Sequence, residues 1–337
     1  GEKRGAVVVT NPQNGEVLAL VSSPSFDPNL FTYKRDEEKI EALLSDRRNP
    51  FLNRTISARF PPGSVFKLVT AIAALEEGVI NGQTQIEDTG VIEVGDFRYA
   101  NWYFLQYGKK EGLVDLVTAI KRSNDVFFYR VGERLGAEKL AFWAKNFHLD
   151  RPTGIDLPAE IAGLVPSPQW KKEVKKEDWF LGNTYHFAIG QGDVLVTPLQ
   201  VANYTAAIAN GGTFYQPHLV SKILDTNNQV VREISPEIIR SDFIDSANLK
   251  IVREGMRQTI TSGSARSLSS VPVAVAGKTG TAQWSTKKDP HAWVIGWGPY
   301  EKPTVAITVL VEEGVEGSTM AAPIARDILQ WYFSVNP

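Results

Sequence analysis

Strand-like apolar runs stand at the two ends of this chain and most of what lies between them has helical spacing, an order that limits the fold more than any other feature. Near the start, residues 5–11 (GAVVVTN) and 16–22 (EVLALVS) are β-rich and flank Pro12-Gln13-Asn14-Gly15, where Asn-Gly favours the positive φ of a hairpin turn. Near the end, Val273–Trp284, Ala292–Gly298 and Thr304–Glu312 alternate or run apolar, and a terminal helix is expected over about 318–332. Between them the spacing predicts a charged helix near 34–46, a hairpin around Val91–Tyr99, and helices near 113–121, 125–135 and 137–147. A further helix runs from Pro198 through Ala209, with Thr197 as N-cap and Gly211-Gly212 beyond its end. Ser246–Thr261 is amphipathic, with Leu249, Val252, Met256 and Ile260 on one side. One sheet closed by both chain ends, with a helical insertion, accounts for this order.

The insertion opens on Arg59-Phe60-Pro61-Pro62-Gly63-Ser64-Val65-Phe66-Lys67. Pro62 disfavours the α region for Pro61 and Gly63 gives a flexible approach, so a helix is expected to begin at about Ser64. Val65, Leu68, Val69, Ile72 and Leu75 or Val79 then recur at spacings of three and four as one apolar face, and Gly78 supplies the stop. Ser64 therefore stands where backbone N–H groups are unpaired and the helix dipole is positive, with Lys67 beside it at i+3. That pairing suits an acyl-transfer nucleophile: a serine hydroxyl needs a base within reach, and the helix terminus can stabilise an oxyanion. An S-x-x-K spacing arises about once by chance in a chain this long, so the letters alone are weak. The second copy, Ser285-Thr286-Lys287-Lys288, has no apolar face behind it and reads as a solvated loop.

Composition narrows the alternatives. With 36 Lys and Arg against 38 Asp and Glu, the net charge is −2 and no long block has one sign, which argues against nucleic acid as a partner. Cysteine is absent, excluding thiol catalysis, disulfides and Cys-ligated zinc. The four histidines, His148, His186, His218 and His291, are far apart in sequence, so neither a metal site nor a cofactor is expected. There is no run of about 18 apolar residues, and Gly1-Glu2-Lys3-Arg4 lacks signal-peptide form, so the chain as given is expected to be soluble.

Two further motifs join the first. Lys278-Thr279-Gly280-Thr281 lies on an expected strand, where Lys278 offers a positive charge for a substrate carboxylate and Thr279 and Thr281 offer hydroxyl donors. Ser123-Asn124-Asp125 lies between two helices and supplies a second hydroxyl. Its rival by letter, Ser246-Ala247-Asn248, reads as an N-cap segment. The order S-x-x-K, S-x-[ND], K-T-G lifts the joint reading above its parts.

In these motifs the chain resembles the transpeptidase domain of a class B penicillin-binding protein, of the elongation type known as penicillin-binding protein 2. The resemblance covers nearly all of the sequence and extends to Val8–Phe31, Asn53–Lys67, Gly190–Gly212 and Gly277–Gln283 (GKTGTAQ). It implies an α/β (α+β) penicillin-recognising fold of the serine transpeptidase and β-lactamase kind, with a central antiparallel sheet flanked by helices and an all-helical subdomain. The sheet part would come from about 1–60 and 213–337 and the mainly helical part from about 64–212. Ser64 would attack the D-Ala-D-Ala carbonyl of a peptidoglycan stem peptide, releasing D-alanine, and an amine of a neighbouring stem would take the acyl group. Backbone N–H groups of Ser64 and Thr281 would form the oxyanion hole. Lys67, Ser123, Asp125 and Lys278 would handle protons and charge, and Asn124, Thr279, Gly280 and Thr281 would contact substrate. β-Lactams would acylate Ser64. Family members carry an N-terminal membrane anchor and a pedestal and work with a SEDS-type glycan polymerase. Neither segment is recognisable in this sequence, which is read as a trimmed piece of a protein anchored in the bacterial inner membrane and facing the periplasm.

Two other classes share the motifs. A serine β-lactamase must also deacylate quickly, and a non-catalytic β-lactam sensor is acylated without turnover. The departure from the family pattern is Asp125, where many relatives have Asn. Lys67 can accept the Ser64 proton near neutral pH only if its pKa lies well below the free value of about 10.4. Asp125 is therefore expected either to point away from Lys67, toward backbone N–H groups or another cation, or to have its charge largely offset by Lys278.

Overall fold

The computed structural model describes residues 3–32 and 35–336. Five antiparallel strands form the central sheet in the spatial order Ala276–Ala282, His291–Gly298, Val305–Val311, Gly5–Thr10, Val17–Ser23. The first strand of the chain thus pairs onto the last, with Val8 opposite Thr308 and Gly5 opposite Val311, and the second strand pairs onto the first as the sheet edge. The expected hairpin at Pro12–Gly15 joins them, and Gly15 has φ +82°. Both faces of the sheet are covered, which is why its inner strands read as continuous apolar runs rather than as alternation. Successive side chains nevertheless part to opposite faces. Val294, Ile307, Val309 and Val9 pack with Leu329 and Phe333 of the terminal helix Ala322–Val335. Trp293, Ile295, Trp297, Ala306 and Leu310 face the larger core shared with the helices Lys67–Glu76 and Pro198–Asn210.

Helix Lys67–Glu76 is buried from Lys67 to Leu75, not along one face only. Thr70, Ala71, Ala73 and Ala74 make its other sides small enough for neighbours to close on it. The helices Asp125–Leu135 and Ser246–Thr261 begin and end where the spacing predicts, and Ala137–Asn146 falls one residue short of its expected end. The cap of Ser246–Thr261 is Asp245, whose carboxylate accepts from the N–H groups of Ala247 and Asn248, so Ser246 is the first helical residue rather than the cap. Pro198–Asn210 carries a full capping box between Thr197 and Gln200 and ends at Gly211, φ +98°. The stretch expected to be helical over 113–121 divides into a short strand, Gly112–Val114, and a helix, Leu116–Arg122, because Asp115 caps a new start with a bond from the Thr118 N–H. The charged helix near 34–46 is seen as Glu37–Ser45; Tyr33 and Lys34 lie outside the described residues. Helix Trp102–Tyr107, helix Leu181–Ala188 and the short strand Ile86–Asp88 were not expected.

Candidate active site

Ser64 lies on a tight 3-10 turn, Gly63–Val65, and the α-helix proper begins at Lys67. The expected single helix from Ser64 is thus a turn running into a helix, closed by Phe66 N–H donating to the Gly63 carbonyl at 2.9 Å. In a 3-10 turn, residues three apart eclipse one another, which keeps Lys67 alongside Ser64. Gly63 has φ +56°, and a Cβ there would stand 2.6 Å from the Thr281 carbonyl oxygen. The nucleophile turn can therefore ride on strand Ala276–Ala282 only because residue 63 has no side chain. Gly190 meets the turn from the other side, accepting from the Gly63 N–H at 2.8 Å, and Trp293 Nε1 donates to the Pro61 carbonyl at 3.0 Å. The strand's edge position, the buried helix and the Gly190 turn together fix where Ser64 can be.

Lys67 is fully buried. Its Nζ donates to the Ser123 carbonyl at 2.8 Å, to Ser123 Oγ at 3.2 Å and to Asp125 Oδ1 at 2.6 Å. The S-x-x-K and S-x-[ND] motifs, remote in sequence, are thus joined at one nitrogen. Ser123 adopts the left-handed region, φ +56°, between helices Leu116–Arg122 and Asp125–Leu135, and this turns both its carbonyl and its hydroxyl toward Lys67. Asp125 does not point away from Lys67: one carboxylate oxygen is spent on the ammonium and the other accepts from the Trp102 N–H at 2.9 Å. The first expected arrangement, a carboxylate turned away from Lys67, is therefore not adopted, although the backbone bond it foresaw is present. Burial pushes the Lys67 pKa below the usual lysine value, and the Asp125 charge and hydrogen bond push it back up.

Lys278 also is fully buried, with Nζ donating to the Thr279 carbonyl at 2.9 Å, so its charge stands behind the cleft wall rather than on it. Burial first, and then the nearby Lys67 charge, push its pKa well below the ordinary value. Thr279, Gly280 and Thr281 do line the cleft, a cavity of about 620 Å³ that also takes in Ser64, Ser123 and Asp125. Thr279 Oγ1 lies 2.6 Å from Ser264 Oγ. Asn124, expected to contact substrate, has a different place: it is fully buried, caps helix Asp125–Leu135 by accepting from the Phe127 N–H, and donates to Asp88 and Glu111.

Sequence reasoning did not reach Trp102, Tyr129, His186, Gln191, Ser264 or Glu316, which complete the cleft walls. For Gln191 a signal existed in Gly190-Gln191-Gly192, two glycines at positive φ either side of one side chain. With its amide oriented to satisfy both partners, Gln191 pairs with the carbonyl and N–H of Gln283 at 3.0 and 3.1 Å and closes the end of the edge strand. The Ser285 copy of S-x-x-K lies in the loop after that strand, where Lys288 pairs with Glu313 at 3.3 Å. Among the described residues no cluster of His, Asp and Glu forms a metal-ligand set.

Residues 5–330 match the family described as the penicillin binding protein transpeptidase domain. The chain belongs to this family. Peptidoglycan D,D-transpeptidase MrdA of Acinetobacter baumannii is 34% identical over 98% of this chain and 51% of its own length. The chain thus spans about half the length of the curated relatives it matches. Among solved structures, PBP2 of Pseudomonas aeruginosa in complex with WCK 5153 superposes with a TM-score of 0.88 at 33% identity, over 98% of this chain and 71% of that one. Penicillin-binding protein A of M. tuberculosis, as its ceftriaxone acyl-enzyme, gives 0.84 at 31% identity, over 97% and 74%. As a penicillin-binding protein transpeptidase domain, the chain has the penicillin-recognising fold, its antiparallel sheet flanked by helices.

Proposed function

We propose that this domain is a serine D,D-transpeptidase that cross-links peptidoglycan stem peptides and is inhibited covalently by β-lactams. The observation that carries this reading is that Ser64, Ser123 and the Thr279–Thr281 edge strand line one cleft while the buried Lys67 bonds Ser123 from behind its wall. Ser64 Oγ attacks the carbonyl carbon of the terminal D-Ala-D-Ala amide as its proton passes to neutral Lys67. Donors at the Ser64 turn and at Thr281 take the developing oxyanion. The C–N bond breaks, D-alanine departs with a proton supplied through Lys67 and Ser123, and the peptide remains as an ester on Ser64. An amine of a second stem then attacks that ester, forming the cross-link and returning the proton to Ser64. Thr279 and Thr281 hydroxyls receive the terminal carboxylate, and Lys278 adds positive potential from behind the strand.

A strained β-lactam amide follows the first half of this path and stalls as the acyl-enzyme. The family membership supports a wider reading, in which the domain works on the periplasmic side of the inner membrane, in cell-wall elongation, with a SEDS-type glycan polymerase as partner. No helix among the described residues is long and apolar enough to cross a membrane. The test is incubation with a D-Ala-D-Ala stem peptide and a second stem bearing a free amine. D-alanine release together with a cross-linked dimer, both abolished in Ser64→Ala, is the expected outcome. Release without dimer at saturating acceptor would make the domain a carboxypeptidase instead.

A further inference from the structure

The turn that carries Ser123 is held from behind by a buried carboxylate that takes no part in the chemistry above. Asp88 ends the short strand Ile86–Asp88 and is 2% exposed. Its Oδ1 accepts from the Gly90 N–H at 2.8 Å. Its Oδ2 accepts from Asn101 Nδ2 at 2.8 Å, Asn124 Nδ2 at 3.0 Å and the Glu111 N–H at 3.1 Å. Both side-chain donors reach on into the second motif. Asn101 Oδ1 accepts from the Asp125 N–H at 3.2 Å, and Asn124 Oδ1 accepts from the Phe127 N–H at 2.8 Å. The next residue after Asn101 supplies the N–H that holds Asp125 Oδ2. Glu111 adds a second anchor, accepting from Asn124 Nδ2 at 2.8 Å while it pairs with Arg122 at the end of the preceding helix.

Ser123 needs such a hold. A non-glycine residue in the left-handed region is strained and persists only where its surroundings over-determine it. Released, the turn would relax and carry the Ser123 carbonyl and hydroxyl and the Asp125 carboxylate off Lys67. We propose that Asp88 is a positioning residue for acyl transfer, acting through Asn101 and Asn124 to fix Ser123 and Asp125 against Lys67. The inference rests on the reading of Lys67 as the group that takes the Ser64 proton. Through Asn101 the carboxylate reaches the Asp125 N–H, and through Asn124 it reaches the cap of helix Asp125–Leu135, so its bonds fix both the turn and the helix that follows it.

Asn at position 88 turns one acceptor into a donor, so an N–H faces either the Gly90 N–H or the three donors on the other side. For Asp88→Asn, the acylation rate constant for a penicillin, measured per titrated active site, is expected to fall on the order of 10- to 100-fold, the scale of a misplaced reacting group. The charged groups facing Lys67 are Asp125 and Lys278, with the phenol Tyr129 facing Asp125. Loosening Asp125 lowers the Lys67 pKa, so the acid limb of the rate profile moves to lower pH. In an Asp125→Asn background the Asp88 change moves the limb no further. Asn101→Ala, which removes the Asn101 bonds to Asp88 and to the Asp125 N–H but leaves the Asn124 branch in place, should shift the limb the same way with a smaller rate loss, and it serves if Asp88→Asn does not fold. A rate per site and a limb within twofold and about 0.2 pH unit of the parent in Asn101→Ala and in any folded Asp88→Asn, whatever the melting temperature, would overturn the proposal. Failure of the parent to acylate at Ser64 would instead overturn the reading beneath it.

Discussion

The Ser123 carbonyl, the Ser123 hydroxyl and the Asp125 carboxylate all lie within hydrogen-bond reach of Lys67 Nζ, and in the proposed mechanism that amine must be neutral before it can take the Ser64 proton. Asp125 raises the Lys67 pKa; removing its charge lowers it, and the fraction of neutral amine at a given pH rises. Asp125→Asn is therefore expected to retain acylation and to move the acid limb of the pH–rate profile to lower pH. A limb that moves to higher pH, or a loss of more than about 100-fold, roughly 2.7 kcal/mol, would mean that the carboxylate itself carries the proton. Gly63 sets a different demand. Gly63→Ala places a Cβ in the left-handed region, costing about 1–2 kcal/mol, and against the Thr281 oxygen. Thermal unfolding should report that loss. Acylation per titrated site should fall further than stability explains, because the Ser64 turn must lift off the strand.

Elements with strong periodicity or full capping signals were readable in the sequence to within a residue or two, as Asp125–Leu135, Ser246–Thr261 and Pro198–Asn210 show. The serine and lysine positions of the three motifs stood out for the same reason, since a turn entering a helix, a helix junction and a strand each impose local chemistry. What was not readable was what those elements touch. The Asp88 hub joins residues 88, 101, 111 and 124 from four short segments, and buried polar contacts between short segments have no period to detect. The direction of the Asp125 side chain was likewise decided by Trp102, on a helix the sequence did not announce. At this scale the Thr197 cap gives a clean test. Its Oγ1 accepts from the Gln200 N–H at 3.2 Å while Gln200 returns a bond to the Thr197 N–H at 3.0 Å. Thr197→Ala should cost about 1–2 kcal/mol in denaturant unfolding. A loss below about 0.3 kcal/mol would show that the cap contributes nothing to the helix beneath the sheet.

Across the whole molecule, the two ends of the chain close the sheet, and one buried ion pair ties that closure to the approach of the nucleophile. Arg54 is 1% exposed, and its Nε donates to Glu312 Oε1 at 2.6 Å just beyond strand Val305–Val311, while its other nitrogens bond carbonyls of residues 48, 49 and 52. Arg4 Nε, 3.4 Å from Glu312 Oε2, still partners the carboxylate when Arg54 is removed, so Arg54→Ala is expected to destabilise the domain by about 1–3 kcal/mol by chemical denaturation, the scale of lost charged hydrogen bonds. That same frame holds the Ser64 turn against the edge strand, where Ser64 is the nucleophile proposed for the cleft. Intact-mass measurement over hours after addition of a penicillin tests this most directly. The account predicts a single adduct, mapped to Ser64, that persists for many minutes. Rapid return to the unmodified mass with hydrolysed drug would make the domain a β-lactamase, and no adduct, or one at Ser285, would contradict the account outright.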